Sequence, residues 1–256
     1  MGVMLDIYYG REDIDKEKAM FGMIGKSLAE LGSPGSPSQI LLLVPDQYTL
    51  QMERNAIAHL KVKGLMDLEV LSFSRLAGRD LNETGGRRRE PIDKHGRHML
   101  LTKILNDEKE NLSVFRGMNK SQSFISLTNN LISEIKQHNS TPEDIRAVIE
   151  GLEDAGLLEY KLKDIALIFE GYEEHIKDKY IDTEDHLNFF ISKISQSAMV
   201  NNTEFWISGF DSFTPKSIKI IEELTLHSTG VNLVITSDNR PEDEGLLPRA
   251  RGEVVA

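Results

Sequence analysis

The sequence predicts an α/β fold: a parallel sheet split along the chain by an all-helical inserted subdomain. Three observations predict it. Over residues 1–90, short apolar runs alternate with segments of helical periodicity. From residue 91 to residue 197 the strand signal stops and the pattern is helical. Strand, helix and strand then return over residues 198–240. A β-α-β-α-β opening needs crossover connections, so its strands run parallel. Residues 241–256 read as an irregular tail.

In chain order, Val3–Tyr9 (VMLDIYY) suits a buried strand, and Lys16–Leu31 places Met20, Met23, Ile24 and Leu31 at helical spacing. Gly32–Gln39 (GSPGSPSQ) is a loop by composition. Ile40–Pro45 (ILLLVP) is a continuous apolar run, the mark of a central parallel strand covered on both faces. A helix over Gln47–Leu60 and a strand over Leu68–Phe73 follow, and Ser74 is placed to cap the next helix. Asn82–Pro91 is a loop. The insertion carries helices at His98–Leu105, Phe124–Gln137, Pro142–Ile149, Leu157–Lys177 and Glu184–Ile194, with Thr141 and Thr183 as caps. Glu204–Phe210 and Val231–Ser237 are strands flanking a helix that starts at Pro215.

Composition narrows the function classes. With no cysteine, the chain has no disulfide, zinc–cysteine site or cysteine nucleophile. No apolar run reaches the roughly 18 residues of a membrane span, and MGVMLDIYYG has no basic leader, so the expectation is a cytoplasmic protein without a membrane partner. The net charge of −11 argues against a protein whose whole surface binds nucleic acid. Charge is uneven, however. Arg75–Lys103 holds eight Lys/Arg and four Asp/Glu, which leaves −15 on the remainder.

One motif carries the chemistry. After the first strand, Gly10 and Lys16 stand at the spacing of a phosphate loop, G-x-x-x-x-G-K-[S/T]. Asp15 occupies the second glycine and Glu17 the Ser/Thr. Both put carboxylates where phosphate oxygens and Mg²⁺ belong, so the residues predict no bound ATP or Mg²⁺. The loop reads as a degenerate relic, with a chance match and a working site as the other readings. The partner of such a loop is an acidic pair ending a later strand, which ligates Mg²⁺ and activates water. In FWISGF that place is taken by Ser208 and Gly209. His95 and His98 have no third metal ligand nearby, SGFDSF is no nucleophile elbow, and the acids of DTEDHL suit a first helical turn. No catalytic residue and no metal site is predicted.

Taken in order, the defective loop, LLLVPDQYTLQMER, LSFSRLA, the helical insertion, DTEDHL, FWISGFDSFTPKSIKII and VNLVITSD resemble the N-terminal region of the AddB family. These are the B subunits of bacterial AddAB ATP-dependent helicase–nucleases. The resemblance spans Met4 to Arg240. It implies a RecA-like, P-loop NTPase-type domain of superfamily 1 helicases. It also implies a non-catalytic role scanning for the Chi signal in double-strand-break repair by homologous recombination, an AddA-like partner, and single-stranded DNA as ligand. The nuclease domain and iron–sulfur cysteines of such proteins lie far to the C-terminal side, so no cofactor is expected in this stretch. A scaffold that docks the AddA-like subunit without touching DNA is the alternative, as is an active helicase with a divergent loop.

The residues agree with a DNA path. Gln47, Tyr48 and Thr49 follow one strand, Phe73 and Arg75 the next, and Phe210 a third, all at the carboxyl edge where ligands bind parallel sheets. Gln47 suits adenine, Arg75 guanine or phosphate, and Phe73 and Phe210 a stacked base. The competing reading makes the two phenylalanines core residues and Arg75 a surface charge.

Overall fold

The structure, a computed structural model, describes residues 5–62, 64, 67–84, 89–152, 156–237 and 251–254, without the side chains of 82–84 and 251–254. The chain forms two compact units. Unit 1 is Met1–Gly85, Phe189–Phe213 and Ser217–Ala256, and unit 2 is Gly86–Asn188 and Thr214–Lys216. No helix among the described residues is long and apolar enough to cross a membrane.

The N-terminal elements are β1 (Leu5–Gly10), α1 (Lys16–Glu30), β2 (Gln39–Leu43), α2 (Thr49–Leu60), β3 (Leu68–Leu71) and α3 (Phe73–Thr84). A two-residue strand β4 (Glu90–Pro91) leads into α4 (Lys94–Asp107), α5 (Gln122–Gln137), α6 (Pro142–Glu150) and α7 (Leu157–Ile176). Next come β5 (Tyr180–Ile181), α8 (Thr183–Lys193), α9 (Ala198–Asn201), β6 (Thr203–Ile207), α10 (Pro215–His227), β7 (Gly230–Thr236) and β8 (Arg251–Val254).

In unit 1 the sheet order is β3-β2-β6-β7-β1-β8, and every neighbouring pair is parallel. The apolar run in β2 is explained by its place: Ile40 through Val44 are each 0% exposed, covered on both faces. One face is closed by Met20, Phe21 and Ile24 of α1 with Met52 and Ala56 of α2, which meet Ile40, Leu42 and Trp206 in a single cluster.

Three expectations are corrected. The tail is not wholly irregular, because Arg251–Val254 pairs with Asp6–Tyr9 as the edge strand β8. The segment RGEV has no apolar run to announce it, and pairing with β1 needs only backbone N–H and C=O groups. Helix α3 starts at Phe73, two residues earlier than a cap at Ser74 allows, and Ser72 is its cap, accepting from the Arg75 N–H at 3.3 Å. The insertion also holds a strand: Glu90–Pro91 and Tyr180–Ile181 form a parallel two-residue ladder, too short to leave a periodic signal.

In unit 2, α4, α5 and α7 bury Leu101, Ile104 and Leu105, Ile125 and Ile132, and Ile168, Phe169, Tyr172 and Ile176 in one core. A Cβ on Gly171 would lie 3.1 Å from Ile104 Cγ2, so glycine permits the close approach of α7 to α4. Helix α6 starts as its sequence predicts. Pro142 is the first helical residue, and Thr141 and Asp144 form a reciprocal capping box.

Candidate functional site

The carboxyl ends of the parallel strands share one edge of unit 1. Backbone bonds carry the ladder one residue past the strands: Val44 N–H to Leu71 C=O (2.9 Å), Ser208 N–H to Leu43 C=O (3.0 Å) and Ser237 N–H to Gly10 C=O (3.1 Å). The connecting segments therefore leave the sheet in fixed register.

Gly10 ends β1, and only Arg11–Asp15 separates it from α1. A turn closes there, with Ile14 N–H donating to Arg11 C=O at 3.2 Å. The carboxylate of Asp15 accepts from the Lys18 N–H at 2.9 Å and so caps the N-terminus of α1. The Lys16 ammonium folds back to donate to Arg11 C=O. Glu17 accepts from Asn55 Nδ2 at 2.8 Å, which ties α1 to α2. Each residue of the loop signature after Gly10 thus has a partner within the protein.

At the end of β6, Ser208 is buried and Gly209 turns the chain with φ +80°, a conformation that favours glycine. No acid stands at either position. The turn delivers Phe210, half-buried, against Phe73 at 5.3 Å between ring centroids, and Phe213 also packs against it at 5.2 Å. Phe73 is only 8% exposed, so the core claims its ring and Phe210 is the more accessible of the two stacking candidates.

The segment after β2 is a single 3₁₀ turn, Asp46–Tyr48, leading straight into α2. Asp46 accepts from the Ser74 hydroxyl (3.2 Å), and Ser74 lies 2.9 Å from the Ser72 hydroxyl, so this turn is bridged to the start of α3. Thr49 donates its hydroxyl to Asp46 C=O at 3.2 Å. Gln47 and Arg75 are exposed on either side of the bridge. Tyr48, to which the sequence assigns no role, is 46% exposed. The Asp46–Ser74 bridge ties the Gln47–Tyr48 turn to the start of α3, and Gln47, Tyr48 and Arg75 are exposed while Thr49 and Phe73 are engaged by the scaffold.

The family described as "ADDB, N-terminal" matches residues 7–247. The chain belongs to the AddB N-terminal family. It is 38% identical over 201 residues to the ATP-dependent helicase/deoxyribonuclease B subunit of Alkaliphilus metalliredigens, covering 78% of this chain and 18% of that protein. It is 37% identical over 235 residues to the protein of the same name from Clostridium botulinum (strain Loch Maree), covering 91% of this chain and 20% of the relative. The chain thus spans about a fifth of the length of these relatives.

This AddB-family chain also carries a polar network in unit 2 that sequence reasoning missed. The acids of DTEDHL do more than favour a helix dipole. Lys136 is 6% exposed and lies 2.6 Å from Glu173, 2.8 Å from Asp182 and 3.0 Å from Asp185. The three carboxylates converge closely enough to hold a metal ion, and the ammonium occupies that position. Asp182 accepts from the Tyr172 hydroxyl (3.2 Å) and from the Asp185 N–H (2.9 Å), so Asp182 rather than Thr183 caps α8. Burial alone would lower the pKa of Lys136, but Asp182 and Asp185 outweigh it and the pKa is raised. Burial pushes Asp182 up, Lys136 pulls it further down, and the result lies below the ordinary value. Glu173 is raised by burial.

Lys216 is 1% exposed and donates to Glu184 C=O (3.1 Å), with the Glu184 carboxylate at 3.2 Å. This contact joins two motifs of the resemblance, DTEDHL and FTPK. A further buried carboxylate, Asp164, accepts from the N–H groups of Ser113, Val114 and Phe115 at 2.7–2.9 Å. A sequence signal existed for Lys136, which falls in line with Ile125 and Ile132 on the buried stripe of α5. His95 and His98 join no metal-binding group among the described residues.

Proposed function

We propose that this chain is the helicase-like N-terminal module of a helicase–deoxyribonuclease B subunit. It holds single-stranded DNA at the carboxyl edge of a RecA-like sheet without hydrolysing ATP. In this reading the module scans the strand for the Chi signal during double-strand-break repair by homologous recombination. Its motor partner is an AddA-like subunit, and nuclease activity belongs to other parts of the longer protein. The observation that carries the reading is the state of the loop after β1. Asp15 caps α1 where phosphate would bind, Lys16 is tied back on Arg11, and β6 is followed by Ser208-Gly209 rather than an acidic pair. The all-parallel sheet, with β7 between β1 and β6, supports the RecA-like assignment.

The test is a pair of titrations on the chain. A fluorescent ATP analogue with Mg²⁺ is expected to give no Lys16-dependent binding and no turnover, judged beside Lys16→Ala. A fluorescent single strand is expected to bind, with affinity falling about tenfold or more between about 50 and 200 mM salt. Turnover lost in Lys16→Ala would make the module an active motor. Absence of strand binding, with capture of an AddA-like subunit intact, would make it a docking scaffold.

A further inference from the structure

We propose that Tyr48 is the base-stacking platform of this edge, with a single-stranded nucleic acid base as its ligand. The proposal rests on the reading of the edge as a single-strand path and adds a residue and a contact to it. Four observations carry it.

First, Tyr48 is 46% exposed although it is aromatic and sits between the buried strand β2 and helix α2. Among the described residues its ring has no aromatic partner, whereas Phe210 has the rings of both Phe73 and Phe213 tilted against it. Second, its backbone is fixed. The Tyr48 N–H donates to Pro45 C=O at 2.9 Å, the Thr49 hydroxyl holds Asp46 C=O, and Asp46 is bridged to Ser74. A ring on so constrained a turn loses little conformational freedom when a base lies on it. Third, its neighbours supply what a stacked base needs at its rim. Gln47 is exposed one residue before it, and exposed Arg75 follows the Ser74 end of the same bridge. An amide reads a base edge, and a guanidinium meets the phosphate. Fourth, Phe73 is buried and Phe210 is half-buried with Phe73 and Phe213 against its ring, so neither ring is as open as that of Tyr48.

The contact is sequence-tolerant, since every base offers a π-face. It adds no ionic contact, so its loss leaves the salt dependence alone.

The experiment measures binding of a fluorescent oligothymidylate to the whole chain and to Tyr48→Ala, Tyr48→Phe and Arg75→Ala, with thermal melting as the folding control. Tyr48→Ala is expected to melt like the parent, to bind about five- to thirtyfold more weakly, and to keep the parent's salt slope. Tyr48→Phe is expected to bind like the parent, because the ring is retained. Arg75→Ala is expected to flatten the salt slope. Parent-like binding by Tyr48→Ala beside a weakened Arg75→Ala would overturn the stacking role and leave the DNA reading standing. No binding by the folded parent would overturn both. Equal losses in Tyr48→Ala and Tyr48→Phe would mean the hydroxyl, not the ring, makes the contact, and would sink the proposal as stated.

Discussion

At the scale of single residues, the clearest lesson is how the chain handles charge. Lys136 satisfies three carboxylates at once and is almost fully buried. Replacing it with methionine keeps the volume and strands the buried Asp182 beside the part-buried Asp185 and Glu173. The variant should lose about 3 kcal/mol or more of unfolding free energy near neutral pH, read by urea denaturation. Its pH dependence follows from the direction of the shifts. The Lys136 pKa is raised above its ordinary 10.5, so its contribution is full below that pH and fades as pH rises through the folded value. The Asp182 pKa is lowered, so its share is full above the ordinary carboxylate range and fades as pH falls through the folded value. The gap between parent and variant should therefore be widest between those limits and narrow at both ends. Gly209 makes a second residue-scale case. A Cβ there would meet Pro45 Cδ at an ordinary 3.6 Å, so Gly209→Ala should cost about 1–2 kcal/mol through backbone strain alone.

At the level of elements, the strand–loop–helix unit β1–α1 is held by the side chains that depart from the phosphate-loop signature. Asp15 is a helix cap, and Glu17 braces α1 against α2 through Asn55. The double substitution Asp15→Gly, Glu17→Thr rebuilds the phosphate-loop signature around Gly10 and Lys16. It should bring measurable Mg²⁺–nucleotide binding by fluorescence titration and still no turnover, because β6 supplies no acid to activate water. Turnover in that variant would locate a base outside the Ser208-Gly209 strand end. The same unit shows what the sequence made legible. The defects at Asp15 and Glu17 were visible as letters, but the retreat of Lys16 onto Arg11 depends on the path of a five-residue turn. Likewise Gln47 and Arg75 were expected at the edge from strand order, whereas Tyr48's exposure and Phe73's burial depend on the Asp46–Ser74 bridge and the Phe210 ring.

At the scale of the whole molecule, each unit has its own core, and stability should follow that division. Among the described residues of unit 1, β2, β6, β7 and β1 are interior strands, while β3 and β8 each pair on one side only. Native-state hydrogen exchange should find the slowest amides of the sheet in β2 and β6 and the fastest in β8. Exchange in β8 as slow as in β2 would mean that its outer edge is covered in solution.

The alternation of strand and helix, the parallel sense of the sheet, the helical insertion and the departures from the phosphate-loop signature at Asp15 and Glu17 can all be read from the residues alone. Those properties are written in local periodicity, turn chemistry and the identity of a few residues, and they need no knowledge of distant neighbours. Only the tertiary structure decided that RGEV near the C-terminus joins β1, that Asp182 and Glu184 serve buried lysines, and that Tyr48 rather than Phe73 faces outward. Each of these depends on groups far apart in the chain coming within a few ångströms. Backbone pairing at a sheet edge and ion pairing in a core leave little trace in the periodicity of either partner.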